Sequence, residues 1–402
     1  MNVVALRSLN HDAELIPATD GKIARVAVYD DFASAEPAWR ALEQQATLAT
    51  PYQGYDFLRL WHRHIGAASG VTPCVVVAYD AKGTPLFLWP FGSRRLGSLR
   101  VVEFLGGKHA NFNMAIWRRD VVAQIGVAEL QRVLDRLGAR TDLVMLANQP
   151  LTWAGCANPF ALLPQQYSPS FGHSGALSRD YNAMFEANTS PGTRKKLRRK
   201  ERLLAGYGEV RFQQAKGPAE ISAVLEDFFR QKTARTRAIG LPDFFGDDDV
   251  RQFLRAAAET STAAGEPLIE LYTLTVDGVI VATVGGIVAD GRFTGMFISI
   301  VHGLYAAESP GQQILMHVVR RCCERGLHTF DLGIGEAKYK DLFCPDAEPM
   351  FDSYWPLSPA GRRAAVVLRF IAAAKRAIKQ RPLLWSMIVK ARKLRARLSG
   401  AL

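Results

Sequence analysis

The chain has 402 residues, 48% of them hydrophobic and 22% charged, with a formal net charge of +12. This length and apolar content predict two domains with sizeable cores and exclude a disordered chain. The N-terminus lacks the apolar core of a secretory signal, and no segment reaches the roughly 18 uninterrupted apolar residues of a membrane span, so we expect a cytoplasmic protein.

The sequence pattern of the first half predicts a mixed α/β unit. Helices are expected at Ala35–Ala49, Tyr55–Ile65 and Ala123–Leu137, and strands at Pro73–Tyr79, Pro85–Phe91, Arg100–Leu105 and Asp142–Leu146. The segment Gly106 to His109 is either a substrate loop or a plain turn. Prolines and glycines then punctuate a polar run from Pro159 to Gly175, which predicts a domain boundary.

The second half opens with a basic segment and continues as a strand meander. Six bases lie between Arg194 and Lys200, where they either grip phosphates or form an exposed helix face. No aromatic residues interleave with them, so nucleic acid is not an expected partner. Later, the pairs Asp277-Gly278 and Asp290-Gly291 separate three runs of branched and aromatic residues, which predicts two tight hairpins.

A short crossover unit occupies Phe297 to Lys340. Ser309, Pro310 and Gly311 open an amphipathic helix, and the first amides of a helix have no internal partners, so they can bind an anion such as pyrophosphate. An ordinary helix start after a loop is the alternative. A strand from Thr329 follows and ends in the sequence GIGE. Ligands in open α/β sheets bind at such strand ends.

The pattern SPG, helix, FDLGxGExxYK resembles the C-terminal part of GNAT-fold acyltransferases of the CelD-like branch, which are related to the FemAB aminoacyltransferases. The resemblance spans about 181–356 and is looser before that. It implies an α/β fold with tandem GNAT-like domains: a degenerate domain at 1–165, a complete acyltransferase domain at 166–357, and a basic helical tail at 358–402.

The resemblance also implies where the cofactor would bind. In GNAT enzymes the acyl-CoA lies in a splay between two strands, which implies that backbone amides near Phe297, Ile298 and Ser299 meet the pantetheine and the acyl carbonyl. The pyrophosphate would then meet the helix opening, at Ser309, Gly311, Gln312 and Gln313. No permanently bound cofactor and no metal are expected, and acyl-CoA would act as a co-substrate.

Three residues are candidates for proton transfer. Tyr339 would protonate the departing thiolate, as a tyrosine does in many GNAT enzymes, or else it packs against the sheet. Glu336 would accept the amine proton, or else it caps a helix or pairs with a neighbouring lysine. His302 is a second candidate base, or a plain loop histidine. Asp331 is expected to be a buried, hydrogen-bonded carboxylate.

The tail from Ser358 to Leu402 holds twelve Lys and Arg residues and no Asp or Glu. Its helical pattern places Val367, Phe370 and Ile371 on one face and bases on the other, which suits the inner face of an anionic membrane. The alternative is a helical pair that packs on the body. The five cysteines of the whole chain show no CxxC pair, so we expect reduced thiols.

We therefore expect an N-acyltransferase that uses acyl-CoA and acts on an amine of an envelope polysaccharide or lipid, a sphingoid amine included. One alternative is a FemAB-like transferase that takes an aminoacyl group from tRNA to a peptidoglycan precursor. Another is a non-catalytic assembly factor with a GNAT fold.

Overall fold

A computed structural model describes residues 23–381, apart from 139, 241, 263, 264, 336, 338 and 380. The strands are β1 Arg25–Tyr29, β2 Thr47–Leu48, β3 Thr72–Tyr79, β4 Pro85–Leu96, β5 Leu99–Phe104, β6 Ile116–Arg118, β7 Leu143–Pro150, β8 Thr152–Trp153, β9 Cys156–Ala157, β10 Gln166–Tyr167, β11 Gly172–Ala176, β12 Val210–Gln214, β13 Glu270–Val276, β14 Val279–Ala289, β15 Arg292–Ile300, β16 Thr329–Ile334, β17 Asp346–Glu348 and β18 Met350–Pro356. The helices are α1 Phe32–Glu43, α2 Tyr55–Trp61, α3 Arg119–Val122, α4 Val127–Leu137, α5 Tyr181–Asn188, α6 Pro191–Ala205, α7 Gly217–Ala238, α8 Asp248–Glu259, α9 Pro310–Glu324 and α10 Pro359–Lys379.

Two mixed sheets organise the protein. The first has the order β1-β3-β4-β5-β7-β18-β10, with β6 also paired to β4, and the second has the order β12-β13-β14-β15-β16-β11-β17. Each contains one parallel pair, β5 with β7 and β15 with β16, reached through a helical crossover. The expected α/β fold with two similar halves is thereby confirmed.

The hairpin turns of the second sheet follow from their residues. Asp277 and Gly278 have φ of 47° and 79°, and Asp290 and Gly291 have φ of 47° and 68°. Positive φ at both central positions is the geometry that the Asp-Gly pairs predict. The turns hold β13, β14 and β15 in antiparallel register and bring β15 next to β16.

The first sheet contains strands from beyond the predicted boundary between the halves. β18 comes from the end of the predicted 166–357 domain, yet it pairs with β7 of the first sheet. One hydrophobic core also joins the first half to α7 and α8, through contacts such as Phe57 with Phe253 at 5.3 Å between ring centroids. The halves therefore share structure instead of meeting at a simple linker.

Helices cover both faces of the second sheet. α7 packs on β13, β14 and β15 from one side, and α9 packs on the same strands from the other, where it builds a second core. Within the described residues, no helix combines the length and the apolar character that crossing a bilayer requires.

Candidate active site

The strands β15 and β16 separate soon after they meet. They pair in parallel at three positions, Arg292 with Thr329, Phe293 with Phe330 and Thr294 with Asp331. β15 then continues to Ile300, whereas β16 ends at Ile334. The pairing of β15 with β14 also shifts register between Gly295 and Phe297, so Met296 is an extra residue that bulges the strand. The result is a length of β15 backbone that faces a split between the two strands.

The direction of the backbone N–H groups decides which of the three predicted residues of β15 can donate a hydrogen bond to a ligand. Val301 N–H donates to the Val281 carbonyl, at 2.9 Å, just beyond the strands. Because successive N–H groups point to opposite edges of a strand, those of Phe297 and Ser299 point toward β14, and that of Ile298 points toward the split. Of the three predicted positions, Ile298 therefore presents its amide where a thioester carbonyl would lie.

The side chains of Phe297 and Ser299 are structural. The Phe297 ring packs on Phe228, with 4.4 Å between centroids. Ser299 is buried, and its hydroxyl donates to Gln231 Oε1 at 2.8 Å. Both side chains bind β15 to α7, so this stretch can serve a ligand only through its backbone.

The opening of α9 already uses two of the predicted phosphate-binding amides, those of Gln312 and Gln313, in its own first turn. Ser309 is left-handed, with φ and ψ both 55°, and its side chain makes no cap hydrogen bond to α9. The amides of Gln312 and Gln313 donate to the Ser309 carbonyl at 3.0 and 3.3 Å, while Pro310 has no N–H to give. Gly311 is in close contact with β15, since a Cβ there would lie 2.9 Å from Ile300 Cγ2.

The Gln313 side chain folds back instead of pointing at a ligand. Its Nε2 donates to the Glu308 carbonyl at 2.9 Å, and its buried Oε1 has no hydrogen-bond partner among the described residues. The residue lines a cavity of about 10 Å³ beside α9, together with His317 and Arg320. Its side-chain nitrogen and its backbone amide are thus both hydrogen-bonded within the protein.

A lysine of the basic helix α6 lies at the opening of α9. Lys200 Nζ donates to the Ala307 carbonyl at 2.9 Å and to Ser309 Oγ. It adds a positive charge beside the first amides of α9, which suits a phosphate. Other bases of α6, Arg194, Lys195, Arg198 and Arg202, line an open concavity of about 790 Å³. Sequence reasoning noted the basic cluster but left its role open.

The three candidates for proton transfer are placed differently. Tyr339 is half-buried against the α9 core, and burial raises the pKa of its phenol, so it carries its proton at neutral pH. His302 lies exposed in the loop between β15 and α9. Glu336 lies outside the described residues.

An ion cluster closes the paired end of the split. The fully buried Asp331 accepts from Arg292 Nε at 2.6 Å and from Thr294 Oγ1 at 2.8 Å. Arg292 also makes a two-pronged contact with Glu348, at 2.7 and 2.9 Å, and its guanidinium lies 4.0 Å from the centre of the Trp153 ring. Asp331 is therefore a structural carboxylate, as the sequence predicts.

Lys340 is a buried cation at the end of β16 that sequence reasoning missed as a site residue. Its Nζ donates to the carbonyls of Gly333 and Ile334, at 3.2 and 3.0 Å. Burial lowers the pKa of Lys340 to about 8. Two glycines of this turn have positive φ, 71° at Gly333 and 91° at Gly335. The Lys340 ammonium holds two carbonyls of the turn, those of Gly333 and Ile334, in place.

The first half of the chain reaches into the split. Asn111 Nδ2 donates to the Gly295 carbonyl at 3.3 Å and to Tyr52 Oη at 3.0 Å. A Cβ on Gly333 would lie 2.4 Å from the same nitrogen, so glycine is required for this approach. The site is thus built by both halves of the chain.

The Gly106 to His109 segment forms a turn at the same boundary. Gly106 is left-handed with φ of 92°, and the buried His109 accepts a hydrogen bond at Nδ1 from Trp61 Nε1 at 3.0 Å. Burial lowers the pKa of His109 to about 4, so the ring is neutral at physiological pH. Lys108 reaches across the boundary, with Nζ 4.6 Å from the centre of the Phe244 ring.

Residues 191–341 match the profile of a family described as an acetyltransferase (GNAT) domain. The matched stretch contains α6 to α9 and β12 to β16, and therefore the split and the opening of α9. It is less than half of the chain. No curated protein matches the sequence.

Three solved structures share the fold of both halves. FemX is 8% identical with a TM-score of 0.52, and covers 79% of this chain and 95% of its own. A conserved protein of unknown function from Bacteroides thetaiotaomicron is 12% identical with a TM-score of 0.51, over 81% of this chain and 98% of that one. L-PGS from Bacillus licheniformis is 12% identical with a TM-score of 0.50, over 88% and 99% respectively.

Proposed function

We propose that this protein is an N-acyltransferase that moves an acyl group from acyl-CoA to an amine on an envelope polysaccharide or lipid precursor. The observation that carries the proposal is the split between β15 and β16, with the Ile298 amide on one side and the opening of α9 at one end. A GNAT domain match over the same residues supports it.

The thioester would bind with its diphosphate at the opening of α9. Lys200 and the Gly311 amide would meet the phosphates, and the pantetheine would run along β15. The Ile298 N–H would then donate to the thioester carbonyl. Backbone donors aimed at a developing oxyanion contribute about 3 kcal/mol each in known enzymes.

The chemistry is a single exchange of bonds at the acyl carbon. The neutral amine attacks the carbonyl, a C–N bond forms, and the C–S bond breaks. Tyr339 would give its proton to the departing thiolate, and Glu336 or His302 would take the proton lost by the amine. The raised pKa of Tyr339 keeps the phenol protonated before the reaction.

A second candidate is aminoacyl transfer from tRNA. Four bases and two acids, Glu186 and Glu201, line the concavity on α6, and the excess of positive charge on this open surface favours a polyanion. This reaction would also place the aminoacyl ester in the split between β15 and β16. It differs from the first candidate in the acyl donor, because the basic helix would bind tRNA and not CoA.

A thermal-shift measurement with CoA, acetyl-CoA and palmitoyl-CoA tests the proposal, because a ligand that binds the folded state raises its apparent stability. We expect a shift that Lys200→Gln reduces and that Lys195→Gln, on the same helix but facing the concavity, leaves in place. No shift with any thioester at saturation would overturn the acyl-CoA proposal. A shift with aminoacyl-tRNA alone would favour the second candidate.

A further inference from the structure

The helix α10 packs on the body with its small residues. Ala365 and Ala372 are 1% and 6% exposed, and Gly361 lies so close to β7 that a Cβ would be 1.8 Å from the Asp142 carbonyl oxygen. Its large apolar residues point the other way, with Phe370 75% exposed and Val366 66% exposed. A helix that served only to cover the sheet would have the opposite arrangement.

Polar contacts along α10 attach its other side to the body. Arg369 donates to the Tyr354 carbonyl at 2.7 Å, and Lys379 Nζ donates to Ser170 Oγ at 2.8 Å. The outer apolar face, defined by Val366, Val367, Phe370 and Ile371, is therefore a fixed feature of the surface. Contiguous apolar surface of this kind marks an interaction site.

The charges around the outer apolar face indicate what covers it. Arg363 is exposed and, at roughly 100° per residue, falls on the same line of α10 as Phe370. Arg362 and Lys375 are exposed on its two flanks. An apolar stripe ringed by cations is typical of a helix that lies in the headgroup region of an anionic bilayer.

The same charges disfavour two other occupants. A second copy that met this face in a two-fold dimer would bring the same arginines together. Residues 382–402 contain five Lys and Arg and no Asp or Glu, so this segment offers no anionic partner to the cations around the face. An anionic lipid surface satisfies both the apolar side chains and the cations.

We propose that the outer apolar face of α10 docks onto an anionic lipid surface. The inference goes beyond the proposed reaction, and it stands whether or not the protein transfers acyl groups. It also gives a reason for α10 to be rigidly attached to the first sheet, since docking then holds the whole protein at a set orientation to the bilayer.

Co-sedimentation of the full-length protein with vesicles tests the inference. We expect binding to vesicles of phosphatidylcholine with phosphatidylglycerol and not to phosphatidylcholine alone. The change of Val367 and Phe370 to Ser should weaken binding at least tenfold. The change of Arg362 and Arg363 to Gln should weaken it roughly 30-fold and reduce its sensitivity to salt.

Leu162→Ser is the matched control, because Leu162 is an apolar residue 53% exposed outside α10, and binding should not change. Equal binding by the wild type and the Val367 and Phe370 variant, or no binding to anionic vesicles, would overturn the inference. All these residues are on the surface, and urea unfolding checks that each variant is folded.

A fluorescent label at the centre of the outer apolar face distinguishes whether lipid or protein covers it. An environment-sensitive fluorophore on Phe370→Cys should move to shorter emission wavelength only when anionic vesicles are added. Emission that is already shifted without vesicles would show that protein covers the face, either residues 382–402 or a second copy, and would overturn the lipid assignment.

Discussion

The side-chain amide of Asn111 donates to the backbone carbonyl of Gly295, 3.3 Å away, and so joins the first half of the chain to the bulged strand of the second. The same nitrogen donates to Tyr52 Oη at 3.0 Å. These bonds lie at the end of the split where β15 leaves β16. The position of β15, and with it the Ile298 amide, therefore depends on a residue 184 positions away in the sequence.

We expect Asn111→Ala to destabilise the protein by about 1–2 kcal/mol and to lower the rate of transfer. Asn113→Ala is the control, because Asn113 Nδ2 donates at 3.1 Å to the Ala147 carbonyl within the first half. It should cost similar stability and leave the rate per folded molecule unchanged. Urea unfolding and initial rates measure the two effects, and equal rate losses in both variants would contradict a role for Asn111 in the site.

Arg292→Met should be strongly destabilising, by about 3–5 kcal/mol, because it leaves Asp331 buried without its cation. Burial raises the pKa of Asp331 and Arg292 opposes that rise, so in the variant the folded state holds a proton that the unfolded chain has lost. The loss of unfolding free energy in Arg292→Met should therefore be largest at neutral pH and shrink toward pH 4.

Arg94→Met is the control for this effect, since Arg94 and Glu103 form a half-exposed pair with a 2.7 Å contact. Its cost should be about 1 kcal/mol or less. Unfolding measured in urea between pH 4 and 8 compares the two. A cost for Arg292→Met that is as small as that for Arg94→Met would show that the cluster is not holding the fold.

Because of Lys340, the free energy of unfolding should depend on pH in the alkaline range. Its pKa in the folded protein is about 8, below the usual 10.5, so between these values the unfolded chain binds the proton that the folded chain has lost. Wild-type stability should therefore rise relative to Lys340→Met by about 2 kcal/mol from pH 8 to 10.5. Lys375→Met, at an exposed position of α10, should show no such trend, and a flat difference for Lys340→Met would refute the assignment.

Tyr339→Phe should lower kcat for acyl transfer by about 100-fold or more while leaving the thermal shift with CoA intact, because a general acid acts in the chemical step and not in binding. Tyr207→Phe, at a 40% exposed tyrosine, should have wild-type activity. Unchanged kcat in Tyr339→Phe would remove it as the acid. A CoA shift in the wild type with no transfer to any amine would favour a non-catalytic role.

The fold was predictable where it depends on local patterns. The Asp-Gly turns at 277–278 and 290–291 determine the meander, and the strand predicted at Arg100–Leu105 lies at Leu99–Phe104 in the structure. The pairing of β18 with β7 was not predictable, because it joins residues about two hundred positions apart and no local pattern records the partner of a strand. The predicted boundary at about 165 separates sequence halves that the sheets do not separate.

The residues of the candidate site likewise fall into those that the sequence could predict and those that it could not. Residues within one crossover unit, such as Ile298, Ser309 and Tyr339, could be listed from motif and resemblance. Lys200 and Asn111 reach the site from other elements, and only tertiary structure brings them there. Lys340 was visible in the sequence beside Tyr339, but its burial and its two carbonyl contacts were not.

The position of β18 at residues 350–356 sets an order of assembly on the ribosome. The first half is made early, yet the edge of β7 that pairs with β18 stays uncovered until residues 350–356 have left the exit tunnel. Premature termination before β18 would leave that edge open to strands of other chains. The first sheet is therefore completed only after a strand far downstream of β7 has been synthesised.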